Sequence, residues 1–210
     1  MRTYNGEKLK LLHRRVGVLP GSFNPPHVGH LRLAQLALER AALDYCIFYV
    51  NSFNFDKRRQ LIALQHRLRL FEMMRQDERM LVLSTDYCSD NIGGAYLSQD
   101  VVFASLLEKL ASSFGQCIEL VLVRGSDYFY ADEVEGLSYP KALCDIPHVV
   151  GIRQQAHEHI RFAAISRKLL LKTPEFSSSL VRQALAVKTN AETLLESSSA
   201  QYVVKFALFT

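Results

Sequence analysis

Short apolar runs rich in β-branched residues alternate along the chain with longer segments in which apolar residues recur at helical spacing. The short runs are typical of buried strands. They predict strands at Arg15–Pro20, Tyr45–Val50, Met80–Ser84, Cys117–Val123, His148–Ile152 and Lys168–Leu171. The longer segments predict helices at about Gly29–Leu43, Leu61–Arg75, Ser98–Ser113, Tyr139–Leu143, Ser178–Val187 and Ala191–Leu208.

Strands and helices alternate in this pattern, and the connections between them are short. Such alternation predicts an α/β fold with a doubly wound, Rossmann-like, mostly parallel sheet and helices on both faces. We expect one domain over residues 1–210, with a C-terminal helical subregion at about 176–210. Ligands of such sheets bind beyond the carboxyl ends of the strands, so the loops that follow strands are the first candidates for function.

Composition and charge narrow the class of protein without defining it. The chain has 210 residues, of which 49% are hydrophobic and 22% charged, as is ordinary for a globular protein. The net charge of +4 is too small to indicate nucleic-acid binding. It is equally compatible with an acidic small substrate and with a solvated surface that binds nothing.

The cysteines and the lack of long apolar runs indicate the cellular compartment of the protein. Cys46, Cys88, Cys117 and Cys144 form no C-x-x-C pair and are interpreted as reduced thiols. The N-terminal MRTYNGEKLK lacks the apolar stretch of a signal peptide. No run approaches the roughly 18 apolar residues of a membrane span. We therefore expect a cytoplasmic protein without a membrane partner, and a homo-oligomer stays open.

The loop after the first strand, GSFNPPHVGH at residues 21–30, has the strongest chemical character. Gly21 permits close backbone approach, and two prolines stiffen the turn. The start of the following helix offers free N–H groups to an anion. His27 and His30 are three residues apart, so both imidazoles can face one bound polyphosphate. The same residues are also compatible with a plain Gly/Pro turn that contains one capping and one packed histidine.

These ten residues resemble the signature of the nucleotidylyltransferase superfamily, whose core is H-x-G-H or T-x-G-H after a Gly-rich strand end. The fuller GSFNPPHVGH is most similar to nicotinate or nicotinamide mononucleotide adenylyltransferases. Asn24 stands where bacterial members usually carry Asp, and the resemblance implies that it contacts the second substrate. The resemblance also implies catalytic roles for His27 and His30, and ATP contacts from Gly21, Ser22, Phe23, His27, Gly29 and His30.

A second match lies near the C-terminus, where FSSSLVR at residues 176–182 resembles the family's I-S-S-T-x-x-R. Small hydroxyls cap a helix start and can donate to an anion, and a forked guanidinium suits phosphate. Alone, the segment is also compatible with an ordinary serine N-cap and a solvated arginine. The resemblance implies ATP contacts from Phe176, Ser177, Ser178, Ser179 and Arg182, the last of which would also be catalytic.

Further positions match the family less sharply. Gly125 and Asp127, at the end of the fourth predicted strand, are similar to the family's G-x-D, which implies that both lie in the nucleotide site. Asp127 would also contact the second substrate. Lys57, Arg67 and Tyr96 fall where the family carries residues near that substrate. The chain has no Trp, although the family often stacks one on the pyridine ring.

The resemblance implies adenylyl transfer from ATP to nicotinate or nicotinamide mononucleotide, which gives the dinucleotide and pyrophosphate in NAD biosynthesis. Mg²⁺ is expected with ATP, held largely by ATP oxygens and water, so no protein metal site is predicted. The His157 and His159 pair is interpreted as solvated. The alternatives are another nucleotidylyltransferase, acting on pantetheine phosphate or using CTP, and a non-catalytic nucleotide-binding relative.

Overall fold

The structure is a computed structural model that describes residues 14–51, 61–84, 118–126, 141–153, 165–187 and 191–209, together with Glu108. Its strands are β1 Arg15–Gly21, β2 Tyr45–Val50, β3 Met80–Ser84, β4 Glu119–Gly125, β5 His148–Ile152 and β6 Lys168–Lys172. Its helices are α1 Val28–Arg40, α2 Leu64–Met74, α3 Lys141–Cys144, α4 Ser178–Ala186, α5 Ala191–Leu195 and α6 Ser197–Lys205. The helix predicted at Ser98–Ser113 lies outside the described residues, apart from the helical Glu108.

The described strands form one sheet in the order β3-β2-β1-β4-β5-β6, and every neighbouring pair is parallel. The prediction of a doubly wound, Rossmann-like sheet is confirmed. The strand order reverses at β1, since the chain returns from β3 to place β4 on the other side of β1. A reversal of this kind opens a crevice at the carboxyl ends of the two central strands, here beyond Gly21 and Gly125.

Both faces of the sheet are buried over β1 to β5, where alternate side chains of each strand point to opposite sides, whereas β6 is largely exposed. One face packs against α1 and α2. Its buried residues include Leu19, Leu33, Ala37, Phe48, Phe71, Val82, Val123 and Val149. The opposite face packs against Leu143 of α3, through residues that include Val16, Val18, Ile47, Tyr49, Leu81, Leu83 and Leu122.

Two predicted helix ends are wrong for identifiable reasons. Helix α1 ends at Arg40 and not at Leu43, because Ala42 has a φ of 49°, which a right-handed helix does not allow. Helix α2 begins at Leu64 and not at Leu61. The backbone N–H of Ile62 instead donates to the side chain of Asn24, at 3.1 Å.

The helix predicted over Ala191–Leu208 is two helices, α5 and α6. Glu196 separates them with a φ of 63°, which interrupts the right-handed helix. Together with α4 they pack on α2 and form the C-terminal helical subregion. The buried apolar residues of this layer are Leu70, Val181, Leu194, Leu195, Ala200, Val203 and Leu208. None of the helices in the described part of the chain has the length and apolar character that crossing a membrane requires.

Candidate active site

The loop that leaves β1, residues 22–27, lies at the carboxyl edge of the sheet, where the strand order predicts a ligand crevice. The ends of neighbouring strands are joined here by backbone hydrogen bonds. The N–H of Asn51 donates to the carbonyl of Gly21 at 2.9 Å, and the N–H of Ser126 donates to the carbonyl of Gly151 at 2.9 Å. These bonds fix the main chain at the strand ends that border the candidate site.

Arg67, in the first turns of α2, shapes this loop from inside the protein. Its side chain is completely buried. Its Nη1 donates to the carbonyls of Ser22 and Asn51, at 2.7 and 2.6 Å, and its Nε donates to the carbonyl of Ile62 at 3.0 Å. The side-chain oxygen of Asn24 accepts from the Ile62 N–H. The sequence assigned Arg67 and Asn24 to the second substrate, whereas in the structure both side chains bind the protein's own backbone.

Phe23 lies in the core beneath the loop, with 4% of its surface exposed. It adopts a φ of 46° and makes edge-on ring contacts, with centroid distances of 4.8 Å to His30, 5.9 Å to Phe48 and 4.8 Å to Phe71. The ATP contact of Phe23 stays a prediction, and the structure shows a packing role for its ring. Its ring supports the imidazole of His30.

His27 and His30 form a stacked pair at the start of α1, with ring centroids 3.7 Å apart. The backbone N–H of His27 donates to His30 Nδ1 at 3.2 Å, so a neutral His30 carries its proton on Nε2. His27 is 1% exposed, and neither of its ring nitrogens makes a hydrogen bond of ordinary geometry to a described residue. Because a buried polar group without a partner is costly, such an imidazole is suited to binding a polar ligand.

The environment keeps both imidazoles neutral. Burial, aided by the positive charge of Arg153, lowers the pKa of His27 to about 3. Burial also lowers the pKa of His30 well below its ordinary value, with further contributions from His27 and Arg153. At pH 7 the pair therefore presents neutral hydrogen-bonding groups. A bound polyphosphate would act in the opposite direction, because nearby negative charge favours the imidazolium form.

We expect the protein to lose stability as the pH falls from about 6.5 to about 5. The pKa of His148 is lowered to about 4 by burial and by Arg124, against a hydrogen bond to the Ile146 carbonyl. Burial likewise lowers the pKa values of His27 and His30. Since unfolded histidine has a pKa of about 6.5, the unfolded chain binds protons first and gains stability relative to the folded chain. At pH 5, His27 and His148 should each cost about 2 kcal/mol of unfolding free energy.

Urea unfolding at about pH 7.5 and about pH 5 measures this loss. His148→Asn is the informative variant, because His148 lies in β5 and its Nδ1 donates to the Ile146 carbonyl at 2.7 Å. The Asn amide nitrogen can replace that donor without titrating. The loss on acidification should be smaller in the variant by about 2 kcal/mol. Equal losses in the variant and the wild type would contradict this account of His148.

The C-terminal segment docks on the loop that carries the histidines. Arg182 Nη1 donates to the Asn24 carbonyl at 2.6 Å, a contact between residues 158 positions apart. The hydroxyl of Ser178 donates to the Pro25 carbonyl at 2.9 Å. The two motifs identified in the sequence therefore meet at one site, although residues 31–175 lie between them in the chain.

The remaining serines organise the start of α4. The Ser177 hydroxyl caps the helix by accepting from the Leu180 N–H at 3.1 Å. The Ser179 hydroxyl accepts from Arg182 Nη2 at 3.1 Å. This arrangement combines a helix N-terminus, hydroxyl groups and a guanidinium, all of which favour an anion.

Gly29 allows α1 to approach the C-terminal segment. A Cβ atom at this position would lie 2.9 Å from the Cβ of Phe176 and 3.0 Å from two atoms of the His27 ring. In an open helical position, Gly→Ala stabilises a protein by about 0.5–1 kcal/mol. Here we expect Gly29→Ala to be destabilising by about 1–3 kcal/mol, because real Cβ atoms do not come so close.

Thermal unfolding of Gly29→Ala, with the exposed α1 variant Gln35→Ala as control, measures this sign. The control should unfold within about 0.5 kcal/mol of wild type, as surface substitutions usually do. A Gly29→Ala protein more stable than wild type would show that Phe176 and His27 do not pack against Gly29.

The structure describes only some of the other predicted site residues. Gly125 ends β4 beside the crevice, whereas Lys57, Tyr96 and Asp127 lie outside the described residues and their roles stay predictions. Among the residues that the structure describes, no group of three or more His, Cys, Asp or Glu side chains could hold a metal ion. The loop and the C-terminal segment instead offer imidazole, guanidinium and hydroxyl groups, which suit phosphate oxygens.

Arg153 is a site residue that the sequence reasoning missed. It follows β5 directly at the carboxyl edge, and its charge contributes to the low pKa of both His27 and His30. The signal was present in the sequence, because a cation directly after a predicted parallel strand belongs to the edge where ligands bind. It was overlooked because it matches no motif.

The reversed strand order defines a Rossmann-like α/β protein, and the loop at its switch point is a candidate site whose groups suit a phosphorylated ligand. A family model described as cytidylyltransferase-like matches residues 18–184, and the chain belongs to that family.

Relatives and solved structures give two further comparisons. Probable nicotinate-nucleotide adenylyltransferases of Brucella suis and Mesorhizobium japonicum are 40% identical over 72 residues and 41% identical over 68 residues. These matches span 34% and 32% of this chain, and only 37% and 35% of the respective relatives. A Plasmodium falciparum nicotinic acid mononucleotide adenylyltransferase, complexed with NaAD, shares the fold with a TM-score of 0.72 and 14% identity, over 94% of this chain and 98% of that one.

Proposed function

We propose that the protein transfers the adenylyl group of ATP to nicotinate mononucleotide, releasing pyrophosphate and forming the dinucleotide. The observation that carries the proposal is the meeting of the two motifs, in which Arg182 and Ser178 bind the loop that leads to His27 and His30. The family membership and the names of the sequence relatives support the same activity. The amide mononucleotide is the rival acceptor.

The reaction requires positioning more than acid–base chemistry. A phosphate oxygen of the mononucleotide attacks the α-phosphorus of ATP in line, the new P–O bond forms, and the bond to the β-phosphate bridging oxygen breaks. The attacking phosphate is already ionised at neutral pH, so no strong base is needed. Catalysis then consists of holding the reactants and stabilising the charge that develops on the phosphoryl oxygens.

We assign the stacked imidazoles to the α-phosphoryl group and the departing oxygen. The Nε2–H of neutral His30 is a donor of the kind that such an oxygen needs, and His27 contributes a buried ring without an ordinary hydrogen-bond partner in the described part of the chain. The approach of phosphate also favours protonation of the pair. The N-terminus of α1 adds its free N–H groups and its dipole.

Arg182 and the serines of the C-terminal segment would bind the β- and γ-phosphates. Arg153 would add positive charge at the same edge, where it already acts on both imidazoles. Guanidinium and hydroxyl groups are donors that commonly bind phosphate oxygens. The proposal also includes three residues of the nucleotide and mononucleotide pockets, Asp127, Lys57 and Tyr96. Only the family resemblance supports their roles.

Mg²⁺ enters the proposal with ATP. The described site offers donors and cations rather than carboxylates, so this chain fits a metal that is held by nucleotide oxygens and water. When bound, the ion would neutralise charge on the pyrophosphate end. We place the activity in the cytoplasm, where the reduced thiols expected from the sequence would persist.

Pyrophosphate release tests the proposal. Each nucleotide, ATP or CTP, should be offered with nicotinate mononucleotide, nicotinamide mononucleotide or phosphopantetheine in turn. We expect turnover with ATP and a pyridine mononucleotide, fastest with the nicotinate form. Faster turnover with CTP or with phosphopantetheine would assign the site to another reaction, and a folded protein without turnover in any combination would refute the proposal.

A further inference from the structure

Arg67 is completely buried although its guanidinium carries a permanent positive charge. Three of its N–H groups donate to backbone carbonyls, those of Ser22, Asn51 and Ile62. Hydrogen bonds from a charged donor are short and strong, as the 2.6 and 2.7 Å distances illustrate. Since no part of the side chain is exposed, a substrate in the crevice cannot touch it.

The three carbonyls belong to three different segments of the chain. Ser22 lies in the loop after β1, Asn51 is the first residue after β2, and Ile62 precedes α2. One side chain therefore fixes three segments relative to one another at the carboxyl edge of the sheet. Asn24 reinforces this arrangement, because its side chain binds the Ile62 N–H.

The same helix also supports His30. Phe71, one turn after Arg67 in α2, packs against Phe23 with ring centroids 4.8 Å apart, and Phe23 packs against His30 at 4.8 Å. Helix α2 thus holds the loop twice, at the Ser22 carbonyl and at the Phe23 ring. A shift at either point would reach the imidazole of His30 through direct contacts.

We propose that Arg67 is a positioning residue that fixes the loop after β1 in its reactive geometry, and not a ligand of the mononucleotide. The inference rests on the proposed adenylyl transfer for its kinetic consequence, and on the geometry alone for its structural one. Misplacing reacting groups by as little as 1 Å can cost about a hundredfold in rate, so a loop that is bound but displaced lowers kcat.

The test compares Arg67→Lys with the control Arg69→Met. A lysine keeps the charge but lacks the planar fork that reaches separate carbonyls. Arg69 lies on the same helix, 57% exposed, and pairs with Glu72. For Arg67→Lys we expect kcat to fall on the order of tenfold or more, with each KM changed by less than about threefold. The control should match wild type in both constants.

A second readout is independent of turnover. The ring nitrogen NMR signals of His27 and His30 should shift in ligand-free Arg67→Lys, and by a smaller amount in Phe71→Leu, which leaves Arg67 in place. A selective rise in KM for the mononucleotide, with unmoved histidine signals, would make Arg67 a substrate ligand and overturn the proposal. Unmoved histidine signals and an unchanged kcat in a variant with lower Tm would reduce Arg67 to a structural residue, which also overturns it.

This design separates the two hypotheses. If the wild-type protein transfers no adenylyl group, the proposed function fails, while the histidine signals still report whether Arg67 positions the loop. If Arg67→Lys does not fold, Phe71→Leu tests the same support of the loop from the neighbouring turn. Unmoved histidine signals in a folded Phe71→Leu protein would then refute the support of His30 by α2.

Discussion

His30→Ala should lower kcat on the order of a hundredfold or more, with little change in KM for ATP or in Tm. The structure holds the His30 ring from three sides, by the His27 backbone N–H, by the stacked His27 ring and by the edge of Phe23. Its proton is thereby directed to Nε2. A donor fixed in advance stabilises developing charge without reorganisation, so its loss affects the transition state more than the bound substrate.

Two further substitutions at the same position separate the ring's two nitrogens. The His30→Gln side chain can place an amide donor near the Nε2 position, whereas His30→Asn can replace only the acceptor at Nδ1. Single-turnover kinetics should therefore rank the variants as Gln above Asn, with Ala lowest. If all three turned over at the wild-type rate, His30 would have no part in the chemistry. If Asn exceeded Gln, the ring would matter for the shape of the loop and not as a donor.

Arg182→Met should lower kcat/KM for ATP on the order of a hundredfold, the second largest effect that we expect. The guanidinium binds the Asn24 carbonyl at 2.6 Å and the Ser179 hydroxyl at 3.1 Å. Its removal takes away a phosphate ligand in the proposed mechanism and a contact between the two motifs. Steady-state kinetics at varied ATP concentration measure the loss.

Arg182→Lys and Gln183→Ala serve as controls for this prediction. The lysine keeps the positive charge but cannot reach two partners with a planar fork, so it should recover only part of the lost kcat/KM. Gln183 is exposed on the same helix, and its removal should leave the kinetics unchanged. Wild-type kinetics in Arg182→Met would show that the docking of the C-terminal segment is structural only.

The strands were predictable because burial on both faces of a parallel sheet demands continuous apolar runs. β2, β3 and β5 begin and end at the predicted residues. Helix ends were harder to predict, since they depend on single residues whose backbone angles are set by tertiary contacts. Ala42 and Glu196 adopt positive φ values, although neither residue type favours them, and no sequence pattern marks those positions.

The candidate site was predictable as a set of motifs but not as a set of contacts. The sequence indicated His27, His30 and Arg182, and the structure brings the segments that contain them together. It could not indicate that Arg67 faces inward, because burying a cation requires carbonyls from three segments that only the fold assembles. Arg153 was missed because proximity across the sheet edge carries no motif.

The fate of the α-phosphate tests the central claim most directly. The protein would be incubated with Mg²⁺, nicotinate mononucleotide and ATP that carries a heavy oxygen isotope on its α-phosphate. The labelled products would then be separated and identified by mass spectrometry. We expect the label in a dinucleotide that contains nicotinate, with one pyrophosphate formed for each dinucleotide. Label found only in AMP or ADP, or left entirely in ATP by a folded protein, would contradict adenylyl transfer to the mononucleotide.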